Sequence, residues 1–340
     1  MMLRRTILLL AAGLIAACGG SAFAQKDLRW GTSAVGSSGH RALVALADML
    51  NREMPKYQIT VQPTPGAIVT VKGYATGQFD GYYGADIAFY ELAHNSNRFK
   101  GFRSHMKRQP VQSMWTYTIE MGTGIRASDM DKIKSWHDLE GRPLFTGNPP
   151  WDTRAHLNRL YDALGIKTKY RQVDLSAAGS VLGRGGIDGI AIYTAGHAGV
   201  PPWVTEAGLA TDWAALNPTP EEVATLKKKG FAVYEQDPAV FKRDVHVKKV
   251  TLFPFYYGFH VGMEVPAEDV YQMLKIVEKN RVALAKADKA FSQIAKDMPG
   301  FQRQGVMAAA DLVPIHPGLA KYMRERGVWD SKWDSKVAKQ

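Results

Sequence analysis

Apolar and polar positions beyond residue 24 follow a strand–helix rhythm. Leu28-Arg29-Trp30 predicts a short strand running into the loop Gly31 to Gly39. Ala42, Leu43, Ala45, Leu46, Met49 and Leu50 then recur at helical spacing. Tyr57 to Gln62 alternates with period two, Pro63-Thr64-Pro65-Gly66 turns the chain, Val69 to Ala75 reads as a helix ended by Gly77, and Phe79 to Ala85 as a strand. An order of β-α-β-α-β implies a parallel sheet with helices on its faces.

The extended run Trp115 to Met121 predicts a crossing into a second lobe, where the rhythm restarts. Strands are expected at Pro143–Thr146, Tyr170–Val173, Ile187–Tyr193 and Phe231–Tyr234, and helices at Thr153–Leu164, closed by Gly165, and Ala177–Leu182. The run Val250 to Val261 returns the chain to lobe one, followed by helices at Ala267–Ala287 and Lys289–Asp297. A polar tail after Trp329 is expected to fray. The fold class is therefore α/β, two-lobed, each lobe a mixed or parallel sheet flanked by helices, with two hinge crossings. Lobe one takes residues 25–120 plus 256–340 and lobe two 121–255. Ligands of such folds bind beyond the carboxyl ends of strands, where helix N-termini present free N–H groups.

The N-terminus changes where the protein is expected to work. Arg4 and Arg5, the apolar run Ile7–Ala17 and the small-residue site Ala22-Phe23-Ala24 form a secretory signal over residues 1–24. Ile15-Ala16-Ala17-Cys18 also resembles a lipobox, which would anchor the chain to a membrane through Cys18. Either form is exported, and a free periplasmic chain is the expectation. Cys18 is the only cysteine, which excludes disulfides, thiol nucleophiles and zinc–cysteine sites from the folded part. The net charge of +11 falls to +9 without Arg4 and Arg5. It favours anionic ligands. The longest basic run is only Lys227-Lys228-Lys229, so nucleic acid is not an expected partner.

Gly31-Thr-Ser-Ala-Val-Gly-Ser-Ser-Gly39, between a strand and a helix, is the principal candidate site. Its backbone N–H groups and the hydroxyls of Thr32, Ser33, Ser37 and Ser38 suit a carboxylate, although an ordinary capped turn has the same composition. In lobe two, Gly147 to Arg154 occupies the equivalent place, with Asp152 or Thr153 as a helix cap and Arg154 as a clamp for an acid group, or simply a solvated residue. Trp151 could add an aromatic wall. Gly122-Thr-Gly-Ile-Arg-Ala127 has dinucleotide-motif spacing but no apolar helix after it, and reads as a loop. His197, beyond an apolar strand, is the best placed of the nine histidines. Neither a metal-binding spacing nor a nucleophile-elbow motif occurs, and no cofactor is expected.

The motif series Gly31-Thr-Ser, Pro63-Thr-Pro-Gly66, Gly77-Gln-Phe-Asp80, Ile133 to Arg142, Gly186-Ile-Asp-Gly189 and Ile315-His-Pro-Gly-Leu-Ala-Lys-Tyr-Met-Arg-Glu-Arg-Gly327 resembles the TAXI group of TRAP-transporter solute-binding subunits. The resemblance covers almost the whole chain after residue 24. It implies a type II periplasmic-binding-protein fold, a monomer without catalysis, a small organic anion or amino acid as ligand, and delivery to TRAP permease subunits in the membrane. Position by position it implies ligand contacts at Thr32, Ser33, Gly36, Ser37 and Ser38, at Gly66 and Ala67, at Asp86, and at Thr146 to Asn148. Gly39-His40 and Asn148 to Asp152 depart from the family pattern, so the resemblance does not extend to glutamate as the ligand. An extracytoplasmic sensor, or an enzyme resembling the thiamine-pyrimidine-precursor proteins, would use the same clamp.

Overall fold

A computed structural model describes residues 25–339. The signal segment and Cys18 lie outside them. Lobe one opens with β1 (Lys26–Thr32), α1 (Ser38–Glu53), β2 (Tyr57–Pro63), α2 (Ala67–Thr76), β3 (Gly81–Ala85) and α3 (Asp86–Ala93). β1 pairs in parallel with both β2 and β3, as the alternating pattern implies. Helix α1 buries Ala42, Leu43, Leu46, Ala47, Met49 and Leu50, the helically spaced set, and Ser37 caps it by accepting from the His40 N–H. Gly77 ends α2 at φ 90°, a left-handed conformation that favours glycine.

The crossings are β4 (Trp115–Arg126) and β10 (Val250–Val261), antiparallel neighbours in the middle of the sheet. Between them lobe two runs β5 (Pro143–Phe145), α4 (Asp152–Leu164), β6 (Lys169–Tyr170), α5 (Ala178–Gly183), β7 (Gly189–Ala195), α6 (Pro202–Ala210), β8 (Trp213–Leu216), α7 (Pro220–Lys228) and β9 (Tyr234–Gln236). The strand order is β2-β1-β3-β10-β4-β7-β5-β6, with β8 on β4 and β9 on β10. One end of each long strand serves lobe one and the other serves lobe two. β10 pairs β3 through Tyr257–Val261 and β9 through Val250–Leu252, while β4 pairs β7 and β8 through its later residues.

Several expectations are corrected. Gly122 to Arg126, read as a loop, is strand. A Cβ on Gly122 would meet Leu252 at 2.6 Å and one on Gly124 would meet Ile192 at 2.9 Å, so these glycines admit close neighbours in a packed sheet. The strand expected at Tyr170–Val173 shortens to β6, and the one at Phe231–Tyr234 moves to β9. The helix expected over Lys289–Asp297 divides into a 3₁₀ turn, Lys289–Phe291, and α9 (Ser292–Lys296), because Asp288 caps the turn by accepting from the Ala290 N–H.

Lobe one closes with α8 (Ala267–Ala287), α9, α10 (Met298–Ala309) and α11 (Pro317–Glu325). The tail after Trp329 is ordered. Ser331–Lys336 forms a 3₁₀ turn with Trp333 buried, and Ile315 bridges to Val337. Apolar anchors hold this polar segment, which composition alone conceals. In the core, fully buried Trp115 packs against Gly305 of α10, and truncating so large a side chain would cost roughly 3–5 kcal/mol.

Candidate functional site

The ends of β1 and β5 point toward the seam between the lobes, and the helices that follow them, α1 and α4, begin there. Each first turn carries backbone N–H groups without intrahelical partners and the positive end of a helix dipole. Between these turns lies a narrow space of about 20 Å³, on the scale of one water molecule. Lobe one lines it with Ser33, Ser37, Ser38, Gly39, Ala67 and Tyr83, and lobe two with Trp151, Thr153 and Tyr193. Ile119 and Tyr257 of the crossings complete the wall.

The lining carries no formal charge but many hydroxyls. Ser33 Oγ and Ser37 Oγ share a hydrogen bond at 2.6 Å. Ser38 Oγ and Thr153 Oγ1, facing the cavity from opposite lobes, are buried and lack protein partners, as are the nearby hydroxyls of Thr32 and Thr146. Buried polar atoms are nearly always paired, so a group of orphaned hydroxyls at one seam marks a place where a polar ligand completes the bonding. Tyr83 stacks on Tyr257 with ring centroids 4.2 Å apart, and its phenol bonds that of Tyr117 at 2.6 Å. Burial pushes the Tyr83 and Tyr257 phenols well above their ordinary range, so both stay neutral donors.

The lobes meet closely around this space. The Trp151 indole Nε1 donates to the Pro65 carbonyl at 2.9 Å, and a Cβ on Gly66 would lie 2.7 Å from the Pro150 carbonyl oxygen. Outside this contact is a cleft of about 760 Å³, bordered by Ala34–Gly36 and Pro65 on one side and by Asn148–Pro150, Gln172–Ser176 and Trp203 on the other.

The candidate residues divide accordingly. Ser33, Ser37, Ser38 and Ala67 line the cavity, Gly36 and Asn148 border the outer cleft, and Gly66 forms the lobe contact. Thr32 and Thr146 sit buried at their strand ends. Arg154 lies over the Tyr170 ring, 3.9 Å from its centroid, instead of in the cavity. Asp152 is not the α4 cap. Trp151 holds that position, and the Asp152 carboxylate accepts from Tyr257 Oη at 2.8 Å and meets Arg98 at 2.7 Å. Asp86 begins α3 and does not line the cavity; desolvation pushes its carboxyl up to about 7. His197 lies in a different groove, stacked on Tyr234 at 3.8 Å. Sequence reading missed Tyr83, Tyr193 and Tyr257, for which the only cue was aromatic residues near strand ends.

Two α/β lobes joined by paired crossings around an inter-lobe site define the type II periplasmic-binding-protein class of fold. The chain belongs to the NMT1-like family, whose family model matches residues 30–327. Among solved structures, a periplasmic transporter aligns over 84% of this chain and 96% of its own, with a TM-score of 0.51 and 13% identity. The periplasmic aliphatic sulphonate binding protein SsuA from Escherichia coli aligns over 92% and 84%, with a TM-score of 0.39 and 15% identity. The probable amino-acid ABC transporter extracellular-binding protein ytmK from Bacillus subtilis aligns over 79% and 98%, at 0.45 and 9%. At 13% identity the likeness to the first of these is one of fold. Comparison with curated proteins returns no match. Among the described residues no helix is long and apolar enough to cross a membrane, and no group of three or more His, Cys, Asp or Glu side chains is placed to hold a metal ion.

Proposed function

We propose that this chain is an extracytoplasmic solute receptor that captures a small organic anion or amino acid between its lobes and delivers it to a membrane transporter. The observation that carries this reading is the orphaned hydroxyls of Ser38 and Thr153, which line one uncharged cavity from opposite lobes at two helix N-termini. Helix N-termini and hydroxyls stabilise a carboxylate or sulfonate without a cationic side chain, and the tyrosine walls suit the ligand's apolar part. Residues 25–120 with 256–340 and residues 121–255 are the two bodies of the clamp. They must part to admit any organic molecule, because the space is so small. The ligand shell consists of Ser33, Ser37, Ser38, Ala67, Tyr83, Trp151 and Thr153, with Thr32, Gly36, Gly66, Thr146 and Asn148 around it.

The one carboxylate beside these hydroxyls, Asp152, is held by Tyr257 and Arg98 and does not itself line the cavity, which supports capture over turnover. The order of the TAXI-like motifs supports a TRAP-type permease as the receiving partner, and the signal segment supports a periplasmic location.

A thermal-shift screen of the chain from residue 25, against dicarboxylates, 2-oxo acids, amino acids, sulfonates and aromatic acids, tests the reading. Binding raises the melting temperature by linkage. A rise of several degrees with one class is expected. No rise with any class, in protein shown to be free of co-purified ligand, would overturn it.

A further inference from the structure

A second groove between the lobes, about 660 Å³ in volume, shares no lining residue with the narrow cavity or the outer cleft. Lobe one contributes Arg41 of α1 together with Lys286, Asp288 and Lys289 from the end of α8, and lobe two contributes His197, Asp237 and Lys242. Four cationic side chains thus face two carboxylates, and both carboxylates are engaged. Asp288 accepts from the Ala290 N–H and meets Arg41 at 3.4 Å, while Asp237 accepts from the Ala239 N–H. Among the described residues, Lys242, Lys286 and Lys289 form no ion pair. Behind the groove the Glu120 carboxylate is fully buried, held by Thr118, Thr194 and the His197 N–H, and desolvation pushes it up to about 8. It does not offset the lysines.

The groove is also rigidly built. His197 and Lys242 are non-glycine residues held at φ 64° and 55°, a conformation that costs on the order of 1–2 kcal/mol each and persists only where the surroundings impose it. His197 is clamped by its stack on Tyr234 and by Gln293 Nε2 at 3.2 Å. Beside it, Gly196 lies so close to lobe one that a Cβ would stand 2.1 Å from the Ala290 carbonyl oxygen. The seam therefore fixes the frame, and the exposed lysines project from it.

We infer that this groove is a second binding site, for a small multivalent oxyanion, held by Arg41, Lys286 and Lys289 from lobe one and Lys242 from lobe two. Closure of the lobes brings these like charges together, which is unfavourable until an anion neutralises them. Occupancy therefore favours the closed clamp, and by reciprocity it tightens capture in the main cavity. The site stands on its own observations and does not depend on what the main cavity binds.

Isothermal titration of the chain from residue 25 with sodium pyrophosphate and with citrate, against sodium chloride at matched ionic strength, tests it. Saturable binding of one anion per chain is expected. It should weaken at least about tenfold in Lys242→Gln/Lys289→Gln, since each charged hydrogen bond lost contributes a factor of this order. Both lysines are exposed, and Lys289→Glu alone should weaken binding further than Lys289→Gln. Thr153→Val, which alters only the narrow cavity, should leave it unchanged. No saturable binding beyond the chloride control, binding indifferent to the lysine substitutions, or binding abolished by Thr153→Val would each overturn the proposal.

Discussion

The Asp152 carboxylate, fully buried at the first position of α4 in lobe two, meets the Arg98 guanidinium of lobe one at 2.7 Å. Glu91 holds Arg98 from its other side at 2.7 Å, and Tyr257 of the crossing strand donates to Asp152. A charge network thus spans the seam next to the candidate ligand cavity.

Removing Asp152 takes one of two carboxylates from the buried Arg98, Glu91 remaining, at roughly 3 kcal/mol, the low end for a broken buried pair. Asp152→Ala should lower the melting temperature by at least about 6 °C, at 2–4 °C per kcal/mol for a chain of this size. Asp152→Asn, which keeps an acceptor for Tyr257, should lose less than Asp152→Ala. Calorimetry of the two variants checks both expectations.

Trp151→Phe keeps the aromatic ring but removes the N–H that reaches the Pro65 carbonyl across the cleft. A neutral hydrogen bond is worth about 1 kcal/mol, so capture of the compound selected by the screen should weaken about fivefold, mainly through faster release. Stopped-flow dissociation measures this directly, and an unchanged rate would remove the contact from lobe closure.

Ser38→Ala and Thr153→Val delete the two orphaned hydroxyls. Each should weaken binding of that compound by roughly fivefold or more while leaving the melting temperature of the ligand-free chain within a few degrees. Titration calorimetry of both variants decides whether the ligand bridges them.

Burial lowers the His156 and His260 imidazoles from 6.5 to about 3. Between those values the unfolded chain binds protons that the folded chain does not. Their contribution to stability is therefore intact above pH 6.5 and is lost as pH drops toward 3, by up to about 1.4 kcal/mol per pH unit for each histidine. The raised Asp86 and Glu120 carboxyls act in the opposite sense, so the histidine share is read from the difference between the wild-type slope and that of His156→Phe in denaturant titrations at pH 7, 6, 5 and 4. His156→Phe, which preserves the stack on Phe255, should reduce the slope by one proton's share.

Local pattern accounts for the elements that were legible in the sequence. The α1 face from Ala42 to Leu50, the glycine stops at Gly77 and Gly165, and the strands around Trp30 and Ile190 follow from periodicity and caps, which act over a few residues. Helix α7 went unread because the apolar pattern there is weak, although the capping box between Thr219 and Glu222 with Pro220 at the first helical position marks its start. The hydroxyl-rich loop at Ser33 to Ser38 was readable as a candidate site because its strand and helix neighbours are local.

The rest of the site was decided by pairing between distant segments. Tyr83 and Tyr257 stack only because β3 and β10 are antiparallel neighbours, and Thr153 and Ser38 line one cavity only because both crossings bring the lobes together. His197 stands beyond β7 as its sequence position implies, yet the twist of the loop at φ 64° turns it into the second groove. By itself the sequence determined two lobes, their crossings and one candidate ligand loop, because each depends on neighbouring residues. Tertiary structure alone decided which side chains share a cavity, because that depends on strand register and lobe contact across as many as 224 positions, from Ser33 to Tyr257.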